Sequence, residues 1–375
     1  MSNFDSINVR ISSSNKGVYN EVVVTTLNKN DSSKVKYLLG NKINDQFENG
    51  LIISKENLRA SVVGNTKING NMLLTSDKIK IGRISGKSSA SKDFHNGKIN
   101  IQENINPKLF NQELLLQQFS KTVSENISYK FIDGNLDLNG NALSELIYTP
   151  NINVGGNLTL SGTIKQNKKI SLNISVVGEV VITSLTNSNI DLTIRTDSSI
   201  TIESNSQLQN IILSAEKKII IQDESEFKNI QLFSKKGIET NGSQFNYPTI
   251  IALYSDLNEE SNLNNKIKIN SSIVNGTILL INSVTGLSNN KNIIEIDDAS
   301  IVHGLVYCEN NSTITGNIYG IIYTYSFWYY KEPTEYINWL VDVKIDRERL
   351  DKDFLLPIGF EKINDFRILK QTWIN

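Results

Sequence analysis

The stretch SSITIESNSQLQNIILSAEKKIIIQDESEFKNIQLFSKK, residues 198–236, contains nearly the same pattern of apolar residues twice. Five apolar positions recur after a shift of 19 residues, while almost every polar residue between them changes. A period near 20 residues is typical of repeat architectures, in which each unit buries its apolar face only by stacking on its neighbours. The matched pairs are Ile200/Ile219, Ile202/Ile221, Leu208/Phe227, Ile211/Ile230 and Leu213/Leu232.

The repeat extends beyond this stretch in both directions. The same shift leads backward to Val181, Leu192 and Ile194, and forward to Ile238. The period then returns with insertions, so the repeat continues through most of the remaining chain. The further positions are Ile267, Ile269, Ile278, Leu280, Ile294, Ile296, Ile301, Leu305, Ile314, Ile318 and Ile321.

Within each unit the apolar residues lie two positions apart, which is the alternation of a strand with one buried face. The segments between them, such as ESNSQ, QDESE and DDAS, consist of residues that favour tight turns. Leucine-rich repeats have a similar length, but they need leucines at fixed offsets and an Asn or Cys ladder, which this pattern lacks. We therefore predict an all-β fold: a single-stranded, right-handed parallel β-helix (β-solenoid) with about 19–20 residues per coil. About ten coils between residues 135 and 324, stacked at roughly 4.8 Å, would make a rod on the order of 50 Å long.

The charge and composition of the chain exclude several functions. Lys and Arg total 38 against 39 Asp and Glu, so the formal charge of -1 offers no footprint for nucleic acid or an anionic membrane. No apolar window approaches the 18 or so residues of a membrane span, and the polar SNFDS follows Met1 in place of a signal peptide. We expect a soluble chain that reaches a membrane only through an anchor outside this sequence.

The sequence offers few residues for catalysis or metal binding. Cys308 is the only cysteine, and alternation along SIVHGLVYCEN places it and His303 on opposite faces of one strand. A nucleophilic Cys–His pair is therefore not expected. The second histidine, His95, lies in the polar loop KDFHNGK. Neither the Cys/His spacing of a zinc site nor a calcium-binding loop is present in the sequence.

Two classes of enzyme with a solenoid fold are alternatives to a non-catalytic rod. Many parallel β-helices are carbohydrate-active enzymes that place carboxylates of neighbouring coils side by side, but the 19-residue shift takes Glu203 to Gln222 and Glu226 back to Gln207. Hexapeptide acyltransferases need a six-residue repeat and a catalytic histidine, and 19 is not a multiple of six. We predict no catalytic residues, no cofactor and no metal, with a carbohydrate-binding or carbohydrate-active β-helix as the alternative.

Composition divides the chain into four segments. Asn106 is predicted to cap a helix that begins at Pro107. A stacked rod needs covers because its terminal coils expose apolar side chains and unpaired strand edges. We therefore expect this helix to cover one end and an aromatic segment to cover the other. The predicted segments are 1–60, strand-rich; 61–133, solenoid-like with a capping helix at 107–127; 134–324, the β-solenoid; and 325–375, the aromatic C-terminal cap.

Seven aromatic residues fall within the fourteen positions of YTYSFWYYKEPTEY, residues 323–336, and Trp339 follows. Thr334 is predicted to cap a short helix that continues to Val341. Such an aromatic cluster either folds over the last coil or binds a partner, because Tyr and Trp supply a large contact area at low entropic cost. The candidate partner-surface residues are Tyr325, Trp328, Tyr329, Tyr330, Tyr336 and Trp339.

The coils NSSIVNGTILLINS, DDASIVHGLVYCEN and NSTITGNIYGIIYT resemble the repeats of bactofilins, which are polymer-forming bacterial β-solenoid scaffolds. They also resemble the solenoid ectodomains of bacterial envelope and pilus-accessory proteins. LRASVVGNTKINGNMLLTSDKIKIGRISGKS is similar to a segment of membrane-anchored envelope proteins of Bacteroidetes. The resemblance covers much of residues 50–360 and is one of repeat style, without catalytic motifs. It implies a rod in the bacterial cell envelope, periplasmic or surface-exposed, whereas a native start at Met1 would place the chain in the cytoplasm.

These features predict a non-catalytic structural or interaction protein of the bacterial envelope. Its capped rod would present a polar surface and an aromatic end to a protein partner or to another copy of the chain, and a glycan is an alternative ligand. A bactofilin-like polymer is the other alternative. The extra elements expected at both ends of the rod would block end-to-end stacking of copies.

Overall fold

The computed structural model describes residues 8–28, 31–56, 59–77, 79–120, 129–140, 150–256, 264–283, 292–360 and 366–374. These residues form strands with one α-helix, α1 (Gln112–Phe119), and two short 3-10 turns at Asp45–Phe47 and Arg347–Arg349. No helix among them is long and apolar enough to cross a lipid bilayer. The strands are β1 (Asn8–Lys16), β2 (Tyr19–Asn28), β3 (Asp31–Asn41), β4 (Leu51–Ile53), β5 (Ser61–Val63), β6 (Lys67–Asn69), β7 (Met72–Leu74), β8 (Lys80–Ile81), β9 (His95–Asn96), β10 (Ile99–Ile101), β11 (Lys130–Ile132), β12 (Leu136–Asn139), β13 (Asn151–Val154), β14 (Leu158–Val176), β15 (Val180–Thr196), β16 (Ile200–Ile202), β17 (Gln207–Ala215), β18 (Lys218–Ile221), β19 (Glu226–Ser234), β20 (Gly237–Asn241), β21 (Gln244–Ser255), β22 (Lys266–Asn270), β23 (Ile273–Asn282), β24 (Ile293–Ile296), β25 (Ile301–Ile314), β26 (Asn317–Lys331), β27 (Thr334–Ile337), β28 (Trp339–Val341), β29 (Lys344–Asp346) and β30 (Phe366–Ile374).

Parallel pairing between consecutive coils gives the chain its shape. Ile200, Ile219 and Ile238 lie side by side in neighbouring strands, and all three are buried in the interior. The five apolar pairs of residues 198–236 are all register partners in β16–β18 and β17–β19. The predicted all-β parallel solenoid is therefore confirmed. The predicted partner Val181 is wrong, because the preceding coil is longer and places Val180 beside Ile200.

Each coil has three strand positions, so the rod has three faces, which we call A, B and C. Long strands such as β14, β15 and β25 bend at the corners and contribute to more than one face. Face A consists of β11, β13, β14, β15, β17, β19, β21, β23, β25, β26, β4, β7 and β10. Face B consists of β12, β14, β15, β16, β18, β20, β22, β24, β25 and β26. Face C consists of β14, β15, β17, β19, β21, β23, β25, β26, β29, β6 and β9.

The coils follow a different order in the rod than along the chain. Strand β4 pairs with β26, and β7 and β10 stack on β4 in turn, so residues 51–101 extend the rod beyond the long solenoid. The segment predicted as an aromatic cap is not the end of the rod. Its strand β28 pairs with β5, and β29 joins β26 to β6, so residues 339–346 belong to an internal coil. The prediction of a C-terminal cap at 325–375 is therefore wrong in its placement.

One end of the rod is open. Ile99 and Ile101 in β10 stack on Met72 and Leu74, yet they are 42% and 46% exposed because no described strand follows them. Ile81 at the end of β8 is also exposed. The expectation that extra elements cover both ends is therefore wrong for this end.

A strap, residues 102–120, leaves the open end of the rod after β10 and runs back along face A as far as β15. Its contacts reach strands progressively nearer to β11, which is the order required of a segment that returns to the start of the long solenoid. The strap thus supplies the connection that the reordered coils need. Four of its polar contacts mark this path: Asn106 O with Tyr323 Oη, Pro107 O with Tyr307 Oη (2.8 Å), Lys108 Nζ with Ser283 O (3.1 Å), and Gln118 O with Arg195 Nε (3.0 Å).

The strap contains the only helix among the described residues, and its position differs from the prediction. Helix α1 begins at Gln112, where the Asn111 side chain accepts a hydrogen bond from Glu113 N at 3.0 Å, so neither Asn106 nor Pro107 starts it. It packs on the flank of the rod against β17, β19 and β21 and does not cover an end. The last part of the predicted span, 121–127, lies outside the described residues.

From β17 to β4, face A is buried on both sides. Its strands contain continuous apolar runs, such as TILLI in β23 and GLVYC in β25. Alternate residues enter the rod interior, and the others, including Leu279, Leu305 and Ile321, pack beneath the strap and residues 350–360. Strands that are covered on both faces need apolar residues at every position. The expectation that outward positions face water therefore does not hold for face A.

The terminal strands β1, β2, β3 and β30 form an antiparallel sheet that is tied to the middle of the rod. At the β1–β2 turn, Val18 N donates to Gln231 Oε1, and Gln231 Nε2 donates to Lys16 O, both at 3.0 Å. Lys16 Nζ also lies 3.4 Å from the carboxylates of Glu21 and Asp191. These partly buried contacts fix where the sheet docks, since each would be costly to leave unpaired.

A buried carboxyl group, that of Glu309, fastens the strap to face A. Tyr307 Oη accepts a hydrogen bond from Leu109 N at 2.7 Å and lies 2.8 Å from Pro107 O and 3.2 Å from Glu309 Oε1. The single hydroxyl hydrogen of Tyr307 cannot serve both oxygens. A protonated Glu309 satisfies every group, because it donates to Tyr307 Oη while Tyr307 donates to Pro107 O. Burial raises the pKa of Glu309 to about 7, against an opposing hydrogen bond from Asn282 N.

We expect this carboxyl to make the stability of the protein depend on pH. Between 4.5 and about 7 the unfolded chain ionises Glu309 while the folded chain keeps it neutral, so the free energy of unfolding falls as pH rises. The amide of Glu309→Gln mimics the neutral acid and removes this loss. The variant should match the wild type below pH 4.5 and exceed it by about 3 kcal/mol above pH 7 in urea unfolding. A difference that stays constant across this range would contradict the protonated clasp.

Candidate interaction surface

The aromatic segment forms a hairpin that leaves the rod at the end of β26. Strand β26 pairs antiparallel with β27, with Trp328 opposite Ile337, Tyr329 opposite Tyr336 and Tyr330 opposite Glu335. The predicted helix from Thr334 to Val341 is wrong, since this stretch forms β27 and β28. Alternation along the paired strands gives the hairpin two faces with different roles.

The inner face of the hairpin packs on the coils of residues 61–86. Tyr329, Tyr336 and Trp339 cover a small cluster of buried side chains that includes Val63 and Ile84. The rings of Tyr336 and Trp339 meet edge to face at 5.0 Å. These three aromatics therefore hold the hairpin against the rod.

The outer face of the hairpin points away from the rod. The rings of Trp328 and Tyr330 are nearly parallel, at 10° and a centroid distance of 6.1 Å. Tyr330 is 50% exposed, and Ile337 on the neighbouring strand is 41% exposed. Glu335 lies beside Tyr330 on the same face. We call Trp328, Tyr330, Glu335 and Ile337 the hairpin surface.

The structure thus divides the six predicted surface residues. Tyr330 is exposed and stacks beside the half-buried Trp328, whereas Tyr329, Tyr336 and Trp339 pack inward. The remaining residue, Tyr325, lies under the ammonium group of Lys55, which is 5.2 Å from the ring centroid. The contribution of Ile337 and Glu335 was missed at the sequence level. Alternation on both sides of the KEPT turn would have revealed it, had the segment not been assigned to a helix.

The structure separates Cys308 from His303, as alternation along the strand predicts. Cys308 is fully buried in the rod interior, and burial raises the pKa of its thiol to about 12. The thiol is therefore neutral at ordinary pH and a poor nucleophile. In contrast, the His303 ring lies on face C, 4.9 Å from the ring of Tyr319.

His303 lines a pocket of about 480 Å³ on face C. Burial, and secondarily the charge of Arg349, lower the pKa of His303 from its ordinary value, so the imidazole is neutral near pH 7. The guanidinium of Arg349 lies 3.5 Å from the centroid of the Tyr319 ring, which fixes it beside the pocket. Asp351 also lines the pocket. Within the described residues, no group of three or more His, Cys, Asp or Glu side chains could hold a metal ion.

We expect the docking of the hairpin to depend on the absence of a side chain at Gly82. A Cβ there would lie 2.4 Å from the Trp339 ring. Gly82→Ala should therefore push Trp339 outward, lower the free energy of unfolding by roughly 1–3 kcal/mol, and increase proteolysis of the hairpin. Gly155→Ala is the matched control, because its Cβ would meet no atom closer than 3.4 Å. Equal stability and protease resistance in the two variants would contradict this packing.

No protein-family model, curated protein or solved structure matches this chain. Its function is therefore inferred from its own residues.

Proposed function

We propose that the protein is a non-catalytic interaction protein of the bacterial cell envelope, whose rod carries the hairpin surface to a protein partner. The observation that carries the proposal is the outward-facing pair of Trp328 and Tyr330 beside the exposed Ile337. Large aromatics held rigidly at a surface are the residues that supply most binding energy in protein interfaces. The envelope location rests on the repeat style of the coils.

The chemistry of the hairpin surface favours a partner segment that combines basic and apolar residues. Trp and Tyr rings attract Lys and Arg side chains through their faces. Glu332 and Glu335 are exposed next to these rings and add negative charge. Ile337 supplies an aliphatic contact on the same face. Inner-face packing by Trp339 keeps this surface in place without an ordering cost on binding.

The test uses the full-length protein and a random peptide library displayed on phage. We expect the selected peptides to contain Arg or Lys next to aromatic or aliphatic residues. The double variant Trp328→Ala/Tyr330→Ala should weaken their binding by at least about tenfold, the effect of removing an aromatic hot spot. Binding is measured by fluorescence anisotropy of the labelled peptides.

The matched control is Phe131→Ala, which removes an aromatic ring that is 74% exposed at the other end of face A. It should leave peptide binding unchanged. A selection that yields no peptides, or peptides that bind the double variant as well as the wild type, would contradict the proposal. Loss of self-association in the double variant would instead identify a second copy as the partner.

The open end of the rod favours end-to-end association as a second candidate function. Among the described strands, β10 and β11 are the two outer members of face A, whose pairing is parallel. Strand β10 of one copy therefore has the direction needed to continue the ladder on β11 of the next, and such a head-to-tail contact repeats without closing. Lys130 in β11 opposes this stacking. Its register partner Ile152 points into the rod interior, so Lys130 lies on the interior side as well and would place a charge in the contact between copies.

We expect association that rises with concentration in light scattering if the ends stack. Ile99→Lys/Ile101→Lys places two charges in the open coil and should abolish it, since inward charges at a strand edge block pairing. Ile273→Lys is the control, because Ile273 is exposed on the side of the rod. A scattering mass of one chain at all concentrations, or equal association of the double variant, would exclude an end-to-end polymer.

A further inference from the structure

Face B contains a groove of about 750 Å³ in the middle of the rod. It extends across the strands β18, β20 and β22, which follow one another in the stacking direction of the coils. Five lysines and one carboxylate supply its charged lining. These residues are Lys217, Lys218, Lys236, Lys266, Lys268 and Glu239.

The groove exists because a glycine interrupts a row of long side chains. Lys218, Gly237 and Lys266 are register partners in consecutive coils and point to the same side of the face. Gly237 has no side chain, so a gap opens between two lysines that are two rungs, or roughly 10 Å, apart. The backbone of Gly237 forms the floor of this gap, with Ile220 beside it.

Positive charge is concentrated here although the chain as a whole has a formal charge of -1. Lys217 and Lys236 occupy equivalent corner positions, where Lys236 N bonds to Lys217 O. Like charges that face each other on adjacent strands destabilise a sheet. Carboxylates offset part of this charge: Glu295 lies 2.7 Å from Lys266, and Glu239 and Glu295 are the register partners of Lys268. The lining still contains five lysines against one carboxylate, Glu239, and this excess of positive charge favours an anionic ligand.

The position and lining of the groove favour an acidic polysaccharide over an acidic peptide or a nucleic acid. It lies on a sheet face whose backbone groups already pair with the neighbouring coils, so an acidic peptide cannot bind by adding a strand. None of the described residues that line it is aromatic, which removes the stacking platforms that single-stranded nucleic acid requires. A sugar unit of a linear polysaccharide has about the length of one rung, roughly 4.8 Å, so its acidic groups can follow the lysines.

We propose that this groove binds a linear acidic polysaccharide, with its carboxylate or sulfate groups on Lys218, Lys266 and Lys268. The chain lies along the stacking axis over Gly237, and Lys217 and Lys236 at the corner contact its edge. This site is separate from the hairpin surface, so the two proposals can fail independently.

The test measures binding of the full-length protein to polygalacturonate, heparin and neutral dextran by isothermal titration calorimetry at two salt concentrations. We expect binding of a polyanionic glycan that weakens at higher salt, and no binding of dextran. Lys218→Gln/Lys266→Gln/Lys268→Gln should weaken it by about tenfold or more, the effect of losing three exposed ion pairs. Polygalacturonate and heparin distinguish carboxylate from sulfate recognition.

The matched control is Lys34→Gln/Lys92→Gln/Lys98→Gln, which changes the net charge equally at exposed positions outside the groove. It should retain binding, as should the charge-preserving triple substitution of the groove lysines by arginine. Equal loss in both Gln variants would show a nonspecific charge effect and overturn the proposal. So would the absence of glycan binding, or tighter binding of poly-glutamate or oligo-dT than of either polyanionic glycan.

Discussion

The parallel ladder is the constraint on which the rest of the structure depends. Each coil satisfies its backbone hydrogen bonds and buries its isoleucines only against the same positions of the next coil, as Ile200, Ile219 and Ile238 show. A coil without a neighbour therefore has both an unpaired edge and exposed apolar side chains. Strands β4 and β29 satisfy that need beyond β26, since the N-terminal coils stack where the long solenoid would otherwise end.

This arrangement forces the chain to return along the rod. The coils of residues 51–101 and the first coil of the long solenoid lie at opposite ends, so the strap must cross face A from one to the other. Its path buries outward residues such as Leu279 and Leu305, and it also removes Glu309 from water. Because burial outweighs the hydrogen bond from Asn282 N and the charge of Lys108, which both lower the pKa of Glu309, the neutral acid is the form that fits below about pH 7.

The repeat within the long solenoid could be predicted because its apolar spacing is a local property of the sequence. The 19-residue shift identified the partners of Ile219 and Phe227 correctly, and the drift to longer coils displaced Val181 by a single position. The placement of residues 51–101 could not be predicted in this way, because every coil has a similar apolar lining and the pattern does not record which coils meet. The continuous apolar runs of β23 and β25 did indicate that face A is covered on its outer side. A strand with one face in water would alternate apolar and polar residues.

The outward-facing residues of a solenoid do not have to stack on the same positions of the next coil. Specific surfaces therefore arise where outward positions hold something other than short polar side chains. At Gly237 a side chain is missing between two lysines. At Trp328 the strand β26 continues beyond the coil and pairs with β27 as a hairpin. The surrounding coils hold both features rigidly, because each rung is fixed by two neighbours. The lysine groove lies on face B and the hairpin surface at the joint with the N-terminal coils, so one rod can present two unlike surfaces at a fixed separation.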